Sequence, residues 1–156
     1  MKFHRVFNRT LEIMLVVLMS VLVLDVLWQV ISRYTPFIDP SSFTDELAGY
    51  LLIWVSLLGA AYVTGTREHL AIDLLLQRSP EKRKRVLSVI IQVLILLFAL
   101  SVMVTGGIWL MYTRFLLGVK SAALQLPLGY VYIVLPLSGM IIAYYSVYHL
   151  VQTIKK

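Results

Sequence analysis

The chain has no cysteine, which removes disulfides, thiolate nucleophiles and cysteine-ligated metals from consideration. Charge is scarce too. Asp, Glu, Lys and Arg make up 14% of the residues, against about 25% in an ordinary soluble domain. Apolar residues take the vacated share, 60% of 156 positions. There are three histidines, His4, His69 and His149, and no two are placed to face each other across an apolar run. A haem clamped at mid-membrane by paired histidines is therefore not expected. Ser, His and Asp are not grouped in a nucleophile motif, so no catalytic site and no cofactor are expected. A chain of this length and composition reads as one lipid-solvated domain over residues 1–156.

Four apolar stretches stand out, roughly Leu11–Ile31, Leu47–Gly65, Val86–Tyr112 and Leu126–Val151. Each reaches the length of about 20 residues that a helix needs to cross about 30 Å of hydrocarbon. None alternates as a barrel strand would, so helices are the remaining way to span. The first run is too long for a signal peptide and no small-x-small cleavage site follows it. The predicted fold class is an all-α integral membrane protein with four transmembrane helices.

Orientation follows from the basic residues. Lys2, Arg5, Arg9, Arg67, Arg78, Lys82, Arg83, Lys84, Arg85, Lys155 and Lys156 fall on one side, eleven of the fourteen. Arg33, Arg114 and Lys120 fall on the other. The positive-inside rule then puts both termini on the cytoplasmic side of an inner-type membrane. It also explains the net charge of +6 without any nucleic-acid partner. Trp28, Tyr34, Trp109, Tyr112, Tyr130 and Tyr132 lie near the predicted outer surface, and Tyr144, Tyr145 and Tyr148 near the inner one. Such rings prefer the headgroup level, where membrane lipids are the partner.

Local signals mark the helix ends. Thr44 is placed to cap the second span, with Asp45 and Glu46 in its first turn. Ser79, Pro80 and Glu81 form a cap, first-turn proline and acid before the third. Pro127 opens the fourth span and Pro136 should bend it. Between Arg67 and Gln77 a leucine-rich stretch is too short to span; it reads as an amphipathic helix lying in the inner interface.

Polar groups persist at mid-bilayer chiefly where function requires them, because they are costly there. The inventory is thin. Asp25 is the one acid well inside a span, and the sequence places no Lys, Arg or His at its depth. It reads as a structural group near the outer interface, with an ion site and contact with a partner subunit as alternatives. Glu68, His69 and Asp73 could hold a metal, although a hydrogen-bonded polar cluster is the plainer reading. What the spans do carry is small-residue packing surface. Ser56, Ala60 and Thr64 share one face of the second helix, Ala61 and Gly65 another, and Gly139 pairs with Ala143 in the fourth.

An ordered set of segments resembles a known family. It begins with Trp28-Gln-Val-Ile-Ser-Arg33-Tyr34, followed by Thr44-Asp45-Glu46-Leu47 and Leu52-Ile53-Trp54-Val-Ser-Leu-Leu-Gly59-Ala60-Ala61. Glu68-His69-Leu-Ala-Ile-Asp73 and Ser121-Ala-Ala-Leu-Gln-Leu-Pro127 complete it. The set is similar to the small membrane subunit of tripartite ATP-independent periplasmic (TRAP) transporters. The resemblance implies a separate large membrane subunit that carries the sodium and substrate sites and moves elevator-fashion. It also implies a periplasmic substrate-binding protein that delivers a carboxylate solute, sialic acid or a C4-dicarboxylate. The small subunit would be a fixed scaffold that helps dock the binding protein. Arg33, Glu46, His69, Asp73 and Pro127 match recurrent family positions. They are expected, with Asp25, Ser56 and Ala60, to serve structure or subunit contact. Two other readings stand beside this one: a self-sufficient homodimeric carrier, and an accessory subunit of an unrelated membrane complex.

Overall fold

In lipid, a segment must bond every backbone polar group within itself, so long apolar runs become helices. A computed structural model describes residues 2–35, 42–66 and 81–155. The predicted interfacial segment, with His69, Asp73 and the Ser79-Pro80 start signal, lies outside the described residues. Helix α1 is Lys2–Tyr34, α2 is Ser42–Thr66 and α3 is Glu81–Phe98. A π-helical segment, Ala99–Gly106, continues α3 into α4, Gly107–Leu116. Then come the short α5, Leu128–Tyr132, and α6, Val134–Lys155. Among the described residues there is no strand. Four helical stretches are long and apolar enough to cross a membrane: Val6–Tyr34, Phe43–Thr66, Arg85–Leu116 and Leu128–Thr153.

Two details differ from the local sequence signals. Helix α2 already begins at Ser42, so Thr44 lies inside its first turn and is buried rather than capping it. The fourth span breaks at Ile133, three residues ahead of Pro136, rather than bending at the proline. Proline has no N–H to return to the carbonyl four residues earlier, Tyr132, and that missing bond separates α5 from α6.

Helix α6 is the hub, packed against α2, α3 and the π segment, while α1 leans chiefly on α2. One core cluster joins Ala61, Ala99, Met103, Ile142 and Ala143; a second joins Leu11, Leu58, Val134 and Tyr145. Small residues permit this closeness. A Cβ on Gly65 would stand 2.6 Å from the Tyr145 ring, and one on Gly139 would stand 2.7 Å from the Met103 Cβ. Tyr145 also donates its hydroxyl to the Asn8 side-chain oxygen. The His149 Nε2–H donates to the Thr64 carbonyl at 3.1 Å, since a carbonyl can only accept. These contacts tie α1, α2 and α6 together at the end that carries the chain termini.

The indole of Trp54 does the same nearer the opposite end. Its Nε1–H donates to the carbonyl of Val131, in the last turn of α5, at 3.1 Å. Late helical carbonyls lack intrahelical partners, so this bond satisfies one of them. Trp54→Phe is expected to lose about 1 kcal/mol, a typical net hydrogen-bond contribution, read as a lower thermal unfolding midpoint in detergent. An unchanged midpoint would show that the bond contributes nothing net.

Candidate functional site

The end of the bundle where α1 hands over to α2 gathers most of the polar groups singled out above. Its centre is Glu46. The Glu46 Oε1 accepts the backbone N–H groups of Ala122 at 2.9 Å and Ala123 at 3.1 Å, and Oε2 accepts that of Leu124 at 3.2 Å. Three successive amides pointing into one concavity make a nest for an anion. Here the anion is a side chain of the same protein. Its role is thus to bridge 76 to 78 residues of sequence rather than only to complement the α2 dipole.

The loop that supplies the nest is a small hairpin. Ser121 N–H bonds the Leu126 carbonyl at 2.9 Å, and Leu128 N–H bonds the Val119 carbonyl at 3.0 Å. Lys120 and Pro127 pair across it in antiparallel sense. The chain turns on two residues of positive φ, Gly118 at 59° and Gln125 at 54°. Glycine adopts this region freely, whereas Gln125 is held there by its context. Its side-chain amide helps by donating to the Ala122 carbonyl at 3.1 Å. Pro127 stands immediately ahead of α5 at φ −59°, so it closes the hairpin and launches the fourth span.

Aromatic groups brace the hairpin from below. The rings of Phe115 and Tyr130 meet edge to face, 5.1 Å between centroids and 89° between planes. A Cβ on Gly129 would lie 2.6 Å from the Phe115 ring, so only glycine admits that ring. The Arg114 guanidinium sits 5.8 Å from the centroid of Tyr132, a cation–π distance. Outside the brace, Leu116, Leu117, Leu126 and Tyr130 are exposed.

A second polar line runs along the α1–α2 seam. Gln29 donates its side-chain N–H to the Asp45 carboxylate. Arg33 approaches the other Asp45 oxygen at 4.0 Å, an exposed and therefore weak pair. Ser32 is buried and bonds the Gln29 carbonyl at 2.9 Å. Asp25 lies one helical turn deeper than Gln29, with 9% of its surface exposed.

The structure thus brings Arg33, Glu46 and Pro127 to one end of the molecule, with Asp25 below them. It does not join Ser56 and Ala60 to that group. Both are exposed on α2, while the neighbouring Ala61, Thr64 and Gly65 face the core. Sequence reasoning missed the hairpin amides of Ala122, Ala123 and Leu124. Backbone N–H groups leave no side-chain signature, so the available sign was the Gly118 turn residue. Among the described residues, no three His, Cys, Asp or Glu side chains converge as metal ligands.

Comparison with known proteins adds a family to this geometry. The family described as tripartite ATP-independent periplasmic transporters, DctQ component, matches residues 13–156. A protein of Haemophilus influenzae named as a TRAP transporter small permease is 26% identical over 149 residues, covering 94% of this chain and 89% of that one. The sialic acid TRAP transporter small permease protein SiaQ of Vibrio cholerae is 28% identical over 103 residues, covering 66% of this chain and 59% of that one. With the match running through all four helical stretches, the chain belongs to the DctQ family of TRAP transporter small permease subunits.

Proposed function

We propose that this chain is the immobile scaffold of a sodium-driven, binding-protein-dependent transporter for carboxylate solutes. It holds a large elevator-type membrane subunit, supplied as a separate chain, in a bacterial inner membrane, with both of its own termini cytoplasmic. The observation that carries this reading is how the helices divide their surfaces. Half of the most apolar stretch of the fourth span is buried inside the chain, but only 6% of that of the first and 11% of that of the third. The first and third spans therefore offer long apolar faces to lipid and to another membrane protein. The hydroxyls of Ser20, Ser101 and Thr105 on these spans are engaged in back-bonds to their own helix. Ser56 and Ala60 give α2 a small-residue face that a partner helix can approach closely.

The binding protein is assigned to the hairpin end. The turn there is locked by Glu46, so its exposed residues Lys120, Ala122, Ala123 and Gln125 present a fixed outline. A preformed surface binds without the cost of ordering a loop. The name of the Vibrio cholerae relative makes sialic acid the leading solute, with C4-dicarboxylates next. The solute is selected in the partner chains rather than here.

The test is purification of the tagged chain from its native membrane with all co-purifying subunits. A large, polytopic membrane protein is expected in about equimolar amount, and transport of the solute in vesicles should require both chains. Transport by the small chain alone would establish a homodimeric carrier instead. Purification with unrelated partners would make it an accessory subunit elsewhere.

A further inference from the structure

Asp25 is sealed. Its Oδ2 has no accessible surface and no hydrogen-bond partner among the described residues. A neighbouring subunit could not supply one either, because this chain already covers the atom. Among the described residues, the polar groups next outward on its own helix are committed elsewhere. The Gln29 amide N–H is given to Asp45, and Arg33, two turns outward on the same helix, also lies against Asp45. On α2 the titratable groups toward this end are Asp45, Glu46 and Tyr50, and none is a cation. Glu46 is turned into its nest.

An ionised carboxylate with one oxygen stripped of water and left without a partner is a costly group for a membrane span to hold. It becomes tolerable when it binds a cation. A bare proton is the smallest and asks for no coordination shell, and no group of three His, Cys, Asp or Glu side chains forms at Asp25 among the described residues. We propose that Asp25 is a proton-binding site: its carboxyl holds a proton inside the first span, below the Gln29–Asp45–Arg33 line that leads to the hairpin end. The protonated group is a donor, and the amide oxygen of Gln29 one turn outward and the carbonyls of its own helix are the acceptors in its neighbourhood. Loss of the proton would set a second carboxylate below Asp45 on the same seam. The α1–α2 contact would then loosen as proton activity at the hairpin end falls.

The experiment is infrared difference spectroscopy on the purified full-length chain, with its co-purifying subunits, in lipid nanodiscs at neutral pH. The wild-type minus Asp25→Asn spectrum is expected to show the carbonyl band of a protonated carboxyl, to shift in D₂O and to fade as pH is raised. Asp25→Asn should assemble to within about twofold of wild type, because a neutral amide has the shape of a neutral acid. Carboxylate bands in the difference spectrum at neutral pH would overturn the proposal. So would a protonated band that appears only after sodium is removed, since the bound cation would then be sodium. Failure of Asp25→Asn to assemble would overturn it as well.

Discussion

Glu46→Ala is expected to release the hairpin at residues 121–126 and to lower recovery of the assembled transporter on the order of tenfold, the scale of losing a charge-assisted hydrogen-bond set. The reason is the one-sided nature of the nest. Three N–H groups, those of Ala122, Ala123 and Leu124, converge on one carboxylate, and removing it leaves them aimed at nothing. Glu46→Gln should recover part of the effect. The amide oxygen can still accept, but the amide N–H₂ is presented to donors that need an acceptor. Glu46→Asp should behave more like alanine, since one methylene less withdraws the carboxylate from reach. Limited proteolysis at the hairpin and pull-down of the partners proposed above are the two readouts. Exposed Glu12 provides the control substitution, Glu12→Gln, which should change neither. If Glu46→Ala leaves both readouts at wild-type levels, the hairpin is held by its own turn and the nest is incidental.

Gly139→Leu is expected to prevent the third and fourth spans from closing. A Cβ at this position meets the Met103 Cβ at 2.7 Å, Val104 Cγ2 at 3.0 Å and the Ala99 carbonyl oxygen at 3.2 Å. A flexible side chain could swing away, but a Cβ and a backbone oxygen cannot, so the helices themselves must move apart. Overpacking of this kind costs typically 1–3 kcal/mol for small additions, and a leucine should exceed that range. Gly139→Ala should fall within it. Aggregation on size-exclusion chromatography and a lower unfolding midpoint would report the damage. The internal comparison is Gly59→Ala, where a new Cβ meets nothing within 4 Å. That variant should be neutral or slightly more stable, because alanine is favoured over glycine in a helix by about 1 kcal/mol. Equal stability of the Gly139 and Gly59 variants would refute the close seam.

Much of this seam was visible in advance as a pattern, though not as a contact. The Gly139–Ala143 pair marked one face of the fourth span, and that face does lie in the core beside Ala99 and Met103. For α2 the same pattern marked two faces, Ser56–Ala60–Thr64 and Ala61–Gly65, without ranking them. The bundle buries the second, against Tyr145, and leaves Ser56 and Ala60 outside. Small residues make close approach possible on any face. Which face is used depends on where the next helix carries its bulk, here the ring of Tyr145. The π segment Ala99–Gly106 is a further case. Nothing in its composition distinguishes it from an ordinary apolar helix, and it keeps Ala99, Met103 and Gly107 buried toward α6.

The sequence by itself determined that this protein has four apolar helical stretches, where each roughly begins and ends, and which family it joins. Those are local properties: an unbroken apolar run about 20 residues long has one stable conformation in lipid, whatever its neighbours do. The tertiary structure decided what the few polar side chains are for. Glu46 meets its donors 76 to 78 residues away, Gln29 of α1 meets Asp45 of α2, and one carboxylate oxygen of Asp25 is covered within the fold. A hydrogen bond acts over about 3 Å, and chain distance carries no information about which groups come that close.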